Sequence, residues 1–163
     1  MSEAARVKLG HINLRGDAAD AAFLSGASSG LGQALPLERN TISRSRHRIY
    51  WLGPNEWQVV TDLGNVAELV DKLRRALAGQ HVSINEVSGG YRTFHLSGSD
   101  VPELLAKGCT LDLHPSVFQM GACAQSGLAK TIVLLGYIEE APVYEIIVRR
   151  SFSEYLQRWL RQN

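Results

Sequence analysis

The chain has 163 residues, of which 45% are hydrophobic and 20% are charged, as is typical of a soluble globular protein with a substantial core. The 17 Lys and Arg residues nearly balance the 16 Asp and Glu residues, so net charge favours neither nucleic acid nor a membrane as a partner. The longest strongly apolar run, Ile132 to Ile138, is too short to span a bilayer, and no secretory leader is evident. With two cysteines and no export signal, we expect reduced thiols and a cytoplasmic protein.

The first half of the chain predicts a strand, a helix, two strands and a second helix. Residues 12–24 (INLRGDAADAAFL) indicate a strand, a turn at Gly16 and a helix. Residues 48–60 (RIYWLGPNEWQVV) indicate a hairpin with its turn at Pro54 and Asn55. The next helix places its apolar side chains on one face, as a 3.6-residue period requires: Val66, Leu69, Val70, Leu73 and Leu77.

Two stretches of this half raise the question of anion binding. Residues 26–32 (GASSGLG) resemble a phosphate loop, but they end a helical segment, so we interpret Gly30 or Gly32 as its C-cap. Residues 37–47 (LERNTISRSRH) predict a long exposed loop. The basic cluster in and just after this loop could bind phosphate or nucleic acid, but we favour a solvated loop or a surface for an acidic partner. No aromatic residue lies among the arginines before Tyr50, so base stacking has no platform there. The cluster comprises Arg39, Arg44, Arg46, His47 and Arg48.

The second half repeats the order of the first, after a connecting strand predicted at 81–87 (HVSINEV). Residues 94–105 (FHLSGSDVPELL) indicate a strand, a glycine turn and a helix with a capping box of Asp100 and Glu103. Residues 131–148 indicate a hairpin. The last helix has a second capping box at Ser151 and Glu154 and one apolar face: Phe152, Tyr155, Leu156, Trp159 and Leu160.

This order of elements predicts an α+β fold, in which a strand-helix-strand-strand-helix unit is built twice and the helices pack on an antiparallel or mixed sheet. We expect one domain over residues 1–163, with pseudo-repeat halves at about 9–87 and 91–161. The turns between strands are too short for a doubly wound parallel sheet.

The stretch 107–126 (KGCTLDLHPSVFQMGACAQS) contains both cysteines, Cys109 and Cys123, with His114 between them. Structural zinc usually needs four N or S ligands in close pairs, and here the gaps are four and eight residues. A catalytic cysteine would need an activating neighbour, for which His114 is the only nearby candidate. We therefore interpret both thiols as small buried hydrophobic groups.

No other pattern in the chain indicates a catalytic, cofactor-binding or metal site. His95 lies in a predicted strand, with Thr93 on its side and Phe94 and Leu96 on the other, which is typical of a structural or surface histidine. Asp62, Glu86 and Asp112 could each act as a general base, but they form no recognisable carboxylate pair. We therefore assign no catalytic, cofactor-binding or metal-ligating residue.

Five segments resemble the gamma subunit of heterotetrameric sarcosine oxidase. They cover nearly the whole chain in order: INLRGDAADAAFL, WLGPNEWQVV, GGYRTFHLSG, LLAKGCTLDLHPSVFQMGACAQS and YEIIVRRSFSEYLQRWL. The string KGC-LDLHP-F-GACAQ is specific to that family. The resemblance implies a duplicated fold similar to the folate-binding part of the glycine-cleavage T-protein.

The resemblance also implies a non-catalytic structural subunit of a bacterial oxidase. The complex would oxidise sarcosine to glycine, produce hydrogen peroxide and transfer the one-carbon unit to tetrahydrofolate. Its FAD, FMN, NAD and tetrahydrofolate would lie on partner subunits, with zinc on the smallest. The alternative is a stand-alone folate-binding or aminomethyltransferase-like module.

The expected partners are the alpha, beta and delta subunits, with self-association as a further expectation for the isolated chain. The expected partner interface lies in the stretch 107–126: Cys109, His114, Phe118, Met120, Cys123 and Gln125. Phe118 and Met120 are the expected contributors to an exposed apolar patch.

Overall fold

The computed structural model describes residues 3–163 and divides them into two compact units. The N-unit is Leu9–Ser88, and the C-unit combines residues 3–8 with residues 89–163. Each unit contains one five-stranded antiparallel sheet and two α-helices. The first strand, β1 (Glu3–Val7), belongs to the C-unit, where it pairs with a strand that begins at Tyr91.

In the N-unit the strands lie in the order β3-β4-β5-β2-β6. Chain order gives β2 (Leu9–Arg15), α1 (Ala21–Leu31), β3 (Ile42–Arg44), β4 (Arg48–Gly53), β5 (Glu56–Asp62), α2 (Val66–Ala76) and β6 (Ser83–Glu86). A 3₁₀ turn over Leu63–Asn65 leads into α2. The predicted hairpin is confirmed, because Pro54 and Asn55 connect β4 to β5.

The N-unit core forms where α1 and α2 pack on the sheet. All five residues of the predicted apolar face of α2 are buried: Val66, Leu69, Val70, Leu73 and Leu77. Gly16 permits a close approach, since a Cβ at this position would lie 2.2 Å from the ring of Phe23. Gly16 is therefore needed for space and not for a left-handed backbone, because its φ is not among the positive φ values of the described glycines.

The prediction of an exposed loop over residues 37–47 is wrong in its second part. Ile42–Arg44 forms β3, which pairs with β4, and this pairing buries Ile42. The side chain of Gln33 holds the next turn in place, because its amide bonds the backbone N and O of His47 at 2.9 and 3.0 Å. A strand of three residues is too short to show an alternating pattern in the sequence.

In the C-unit the strands lie in the order β1-β7-β10-β9-β8. After β1, chain order gives β7 (Tyr91–Ser97), α3 (Val101–Ala106), β8 (Cys123–Leu128), β9 (Thr131–Glu139), β10 (Val143–Arg149) and α4 (Ser153–Gln162). Phe94 and Leu96 share one side of β7, as alternation predicted, and both belong to the core of this unit. The edge strand β8 was missed, because its sequence CAQSGL has few strand-forming side chains.

Neither predicted capping box forms. Asp100 occupies the N-cap position of α3, but its side chain makes no capping hydrogen bond. Ser151 lies in a 3₁₀ turn before α4, and Ser153 bonds the carbonyl of Arg150 instead. Ser88–Gly90 forms a 3₁₀ turn between β6 and β7, which lie in different sheets.

The α+β class is confirmed: two antiparallel sheets and four α-helices account for the regular structure of residues 3–163. The pseudo-repeat halves at 9–87 and 91–161 remain a prediction. Within the same residues, none of the helices is long and apolar enough to cross a membrane.

Candidate functional site

Residues 104–126, which we call the signature segment, connect α3 to β8, and their first turn depends on Gly108. A Cβ on Gly108 would lie 2.6 Å from Cζ2 of Trp159 and 3.0 Å from the backbone N of Ala129. Ala129 N also donates to Gly108 O at 2.8 Å. Gly108 is therefore required where the indole of α4 and the β8–β9 turn meet the end of α3.

The two thiols of the signature segment lie in different environments. Cys109 is half-buried, and its Sγ lies 3.6 Å from Oγ of Ser126. Cys123 is buried in β8, in register with Gly136 of β9. Neither Cys109 nor Cys123 forms a disulfide bond. Their backbones also anchor the segment, because Cys109 forms an isolated antiparallel bridge with Leu128.

His114 organises an exposed turn. Its Nδ1 lies 2.7 Å from Oγ of Ser116 and accepts the Ser116 backbone N–H at 3.2 Å. Its own backbone N–H donates to Oδ1 of Asp112 at 3.0 Å. Among residues 3–163, no three His, Cys, Asp or Glu side chains are grouped as a metal site would require. The positions of His114 and Asp112 are explained by the turn itself.

Phe118 belongs to the C-unit core. Its ring stacks on Tyr144 at a centroid distance of 6.5 Å, and Tyr144 stacks on Tyr137 at 4.7 Å. Burial raises the pKa of the Tyr144 hydroxyl, and nearby Tyr137 raises it further. This aromatic stack positions the turn from which the signature segment enters β8.

The six predicted interface residues thus differ in their accessibility. Phe118 and Cys123 are buried, Cys109 and Met120 are half-buried, and His114 and Gln125 are exposed. Two apolar side chains that are not among the six predicted interface residues are highly exposed: Val117 at 61% and Ile132 at 74%. Their hydrophobicity was visible in the sequence, but their exposure was not.

Ile132 and Gln125 lie on the same face of the β8–β9 pair. Gln125 is in register with Leu134, and Gly127 is in register with Ile132. Since strand residues alternate between faces, Gln125, Gly127, Ile132 and Leu134 share one side. Val133 and Leu135 face the core on the other side. The sheet therefore carries a highly exposed isoleucine beside Gln125.

A second arrangement that sequence reasoning missed is the pairing of His95 with Glu145. They are register partners on β7 and β10, and Nε2 of His95 lies 2.6 Å from Oε2 of Glu145. Glu145 is fully buried, whereas 27% of the His95 side chain is exposed. The sequence did contain a sign of this pairing, because Glu145 lies within the apolar run VYEIIV and a buried charge needs a partner. The contact holds the imidazole in a defined orientation.

The glycines of residues 26–32 serve helix packing and capping. Gly32 is the C-cap of α1 with φ of 73°, which confirms that interpretation. A Cβ on Gly26 would lie 2.9 Å from the carbonyl O of Ala76, and one on Gly30 would lie 3.2 Å from the Cα of Leu73. The resemblance to a phosphate loop arises from close packing of α1 on α2.

A cleft of about 280 Å³ opens beside the C-terminal end of α1, and we call it the His47 cleft. Its lining includes Arg46, His47, Asn65, Glu68 and Lys72. Lys72 Nζ lies 2.9 Å from Oε1 of Glu68, one helical turn away. His47 is 4% exposed, and its Nδ1 lies 2.8 Å from Oγ1 of Thr61. Two members of the predicted basic cluster, Arg46 and His47, thus line one concave site.

Burial is the main cause that lowers the pKa of His47, and the charge of Arg46 lowers it further. The charge of Lys72 also lowers the pKa of His47, whereas the charge of Asp62 raises it. The pKa of Glu68 is also lowered, chiefly by its hydrogen bond to Lys72 and by the charge of that residue. Burial and the two neighbouring cations therefore both favour the neutral form of the His47 imidazole.

Comparison with known proteins gives a consistent result. The model of the sarcosine oxidase gamma subunit family matches residues 15–163. Sarcosine oxidase subunit gamma of Corynebacterium sp. (strain P-1) is 31% identical over 140 residues, which are 86% of this chain and 66% of that relative. The chain spans about two thirds of the length of the curated relatives it matches first.

Two solved structures share the fold. Heterotetrameric sarcosine oxidase from Corynebacterium sp. U-96 matches with a TM-score of 0.90 and 25% identity, over 98% of this chain and 81% of that chain. The glycine cleavage system aminomethyltransferase T from Bartonella henselae matches with a TM-score of 0.76 and 13% identity, over 98% of this chain and 45% of that chain. The second match shows the fold alone.

Proposed function

The chain belongs to the sarcosine oxidase gamma subunit family, and from this membership we propose that it is a structural, non-catalytic subunit of a bacterial heterotetrameric sarcosine oxidase. The observation that carries the proposal is the TM-score of 0.90 over 98% of the chain against a chain of such a complex. In this proposal the partners are the alpha, beta and delta subunits.

The proposed parent complex oxidises sarcosine to glycine, reduces oxygen to hydrogen peroxide and transfers the one-carbon unit to tetrahydrofolate. The proposal places FAD, FMN, NAD and tetrahydrofolate on the partner subunits, so no residue of this chain is assigned to them. The internal roles of the signature segment support a structural assignment. Gly108 meets Trp159, Phe118 stacks on Tyr144, and His114 builds a turn.

We place the partner interface on the exposed part of the signature segment and on the β8–β9 face beside it. His114 and Gln125 carry the polar part, and Val117 and Ile132 carry the apolar part. Protein interfaces combine such apolar anchors with a polar rim. The half-buried Cys109 and Met120 lie within the proposed area, while Phe118 and Cys123 support it from beneath.

The test is affinity purification of the tagged chain from its native cells, grown with an inducing N-methyl amine. We expect a yellow complex with larger subunits, and sarcosine-dependent peroxide production by that complex. A colourless chain without partners would contradict the proposal. If that chain also bound tetrahydrofolate, the independent folate-binding or aminomethyltransferase-like module would replace it, an alternative favoured by the T-protein fold.

A further inference from the structure

The His47 cleft contains polar groups that the proposed structural role does not use. Its volume of about 280 Å³ lies at the lower limit of small-molecule sites, which suits a ligand of few atoms. The lining brings together Arg46 from the turn after β3 with Asn65 and Lys72 from the start and middle of α2. Elements distant in sequence thus present donors to one concavity.

The clearest sign of a ligand is the second ring nitrogen of His47. His47 is 4% exposed, and its Nδ1 is engaged by Thr61. Within residues 3–163, Nε2 of His47 has no hydrogen-bond partner. Nε2 of His47 is not one of the fully buried side-chain atoms that lack a partner, so it is open to the cleft, where a ligand atom can pair with it. His47 lines the cleft, and Nε2 lies on the ring edge opposite to the Thr61 contact.

We propose that the His47 cleft binds the carboxylate group of a small ligand, which Nε2 of His47, Arg46 and Lys72 hold together. Thr61 donates to Nδ1 in this arrangement, so the neutral imidazole carries its hydrogen on Nε2 and donates to the carboxylate. Arg46 and Lys72 supply charge-assisted hydrogen bonds.

The charges of the lining select the class of ligand. Arg46 and Lys72 contribute two positive charges and Glu68 one negative charge, which leaves one positive charge while His47 is neutral. A carboxylate carries one negative charge and balances this excess, whereas the two charges of a phosphate dianion would exceed it. The Glu68–Lys72 pair is largely exposed, so Lys72 can turn toward a ligand at little cost.

The backbone that carries His47 is fixed before any ligand arrives. Gln33 clamps the backbone of His47 from both sides, at 2.9 Å to its N–H and 3.0 Å to its carbonyl. The same Gln33 amide lies 3.1 Å from Oγ of Ser43 on β3. The turn that carries Arg46 and His47 is therefore fixed against the end of α1, and preorganised donors lose less entropy on binding.

The test is NMR of the histidine ring nitrogens in the full chain, with sodium acetate as the probe and sodium chloride holding ionic strength constant. We expect a saturable shift of the His47 signals and a rise of the His47 pKa, because a bound anion stabilises the imidazolium against Arg46 and Lys72. The charged groups that face this ring or its neighbours are Arg46, Asp62, Glu68 and Lys72.

Substitutions make the test specific. Arg46→Gln and Lys72→Gln should each weaken acetate binding by about tenfold, the effect of one lost charge-assisted hydrogen bond. Arg39→Gln and Arg74→Gln remove matched exposed charges on the same two segments outside the lining, and they should change binding by less than about twofold. Glu68→Gln should tighten binding, since it removes the competing carboxylate.

Three outcomes would overturn the proposal: an acetate effect that chloride reproduces, equal losses in all four cation variants, or saturable binding of inorganic phosphate without binding of acetate. A parallel titration with blocked aspartate, N-acetyl-aspartate amide, identifies the source of the carboxylate. Binding of acetate at least as tight as that of blocked aspartate indicates a free small acid. Binding of blocked aspartate more tightly than acetate indicates an acidic side chain of a partner protein.

Discussion

Glu145 of β10 is completely buried, and its Oε2 lies 2.6 Å from Nε2 of His95, its register partner on β7. Burial of a carboxylate in the middle of a sheet is unfavourable unless hydrogen bonds or opposite charge compensate for the lost water. His95 supplies such a contact while 27% of its own side chain remains exposed. The stability of the C-unit therefore depends on the partly exposed imidazole of His95, which is a partner of the buried carboxyl group of Glu145.

Replacement of His95 should show this dependence. We expect His95→Ala to lower the free energy of unfolding by about 2–4 kcal/mol, because a buried carboxylate loses a donor. His95→Gln keeps a donor and should cost about 1 kcal/mol. Urea denaturation measures both. His81 is exposed, and His81→Ala should stay within about 0.5 kcal/mol of the wild type. Equal losses for His95→Ala and His81→Ala would contradict the assignment.

Two glycines of the C-unit provide a matched pair. Gly108→Ala should destabilise the protein by about 1–3 kcal/mol, because the new methyl group meets Trp159 and the backbone of Ala129. Gly127→Ala has no heavy atom within 4 Å of the added Cβ and should be neutral or slightly stabilising. Thermal unfolding of both variants checks this, and a neutral Gly108→Ala would show that the indole can move aside.

Neighbouring residues of the signature segment should respond in opposite ways. Phe118→Ala removes a buried ring that stacks on Tyr144, and we expect a loss of about 3–5 kcal/mol. Val117→Ala removes a side chain that is 61% exposed and should cost less than about 0.5 kcal/mol. Chemical denaturation separates the two. A costly Val117→Ala would mean that this side chain is not free for a partner.

The proposed interface makes a prediction about assembly. Ile132→Lys should leave the free energy of unfolding within about 0.5 kcal/mol, because the side chain is 74% exposed. It should nevertheless reduce co-purification of the flavin-bearing subunits, since a charge in an apolar interface is costly. Leu63→Lys, at a 49% exposed residue of the N-unit outside the proposed interface, is the control. Undiminished recovery with Ile132→Lys would remove this face from the interface.

The lowered pKa of His47 predicts how stability depends on pH. In the unfolded chain the imidazole takes up a proton near its ordinary pKa of 6.5, whereas the folded protein resists protonation until lower pH. Between these two pKa values the unfolded state binds more protons, so the free energy of unfolding should fall as the pH falls below 6.5. Denaturation between pH 7.5 and about 5 should show a weaker fall for His47→Gln than for the wild type, and an equal fall in both proteins would contradict the prediction.

Much of the architecture follows from local pattern. The 3.6-residue period defined the apolar face of α2, which is wholly buried, and the turn through Pro54 and Asn55 defined the β4–β5 hairpin. In α4 the same period identified Leu156 and Leu160 as buried, but Phe152 remains 43% exposed. The 3.6-residue period predicts which side of a helix faces the core. Whether each residue on that side is buried depends on how far the neighbouring elements extend over it.

The sequence by itself determined the α+β class, the order of most helices and strands, and the C-cap at Gly32, because backbone preference and periodicity act between residues close in the chain. Only the tertiary structure decided that β1 joins the sheet of the C-unit, that His95 meets Glu145 and that Arg46 approaches Lys72 in one cleft. These relationships join residues far apart in sequence, and their physical basis is strand pairing and packing, which no local pattern encodes.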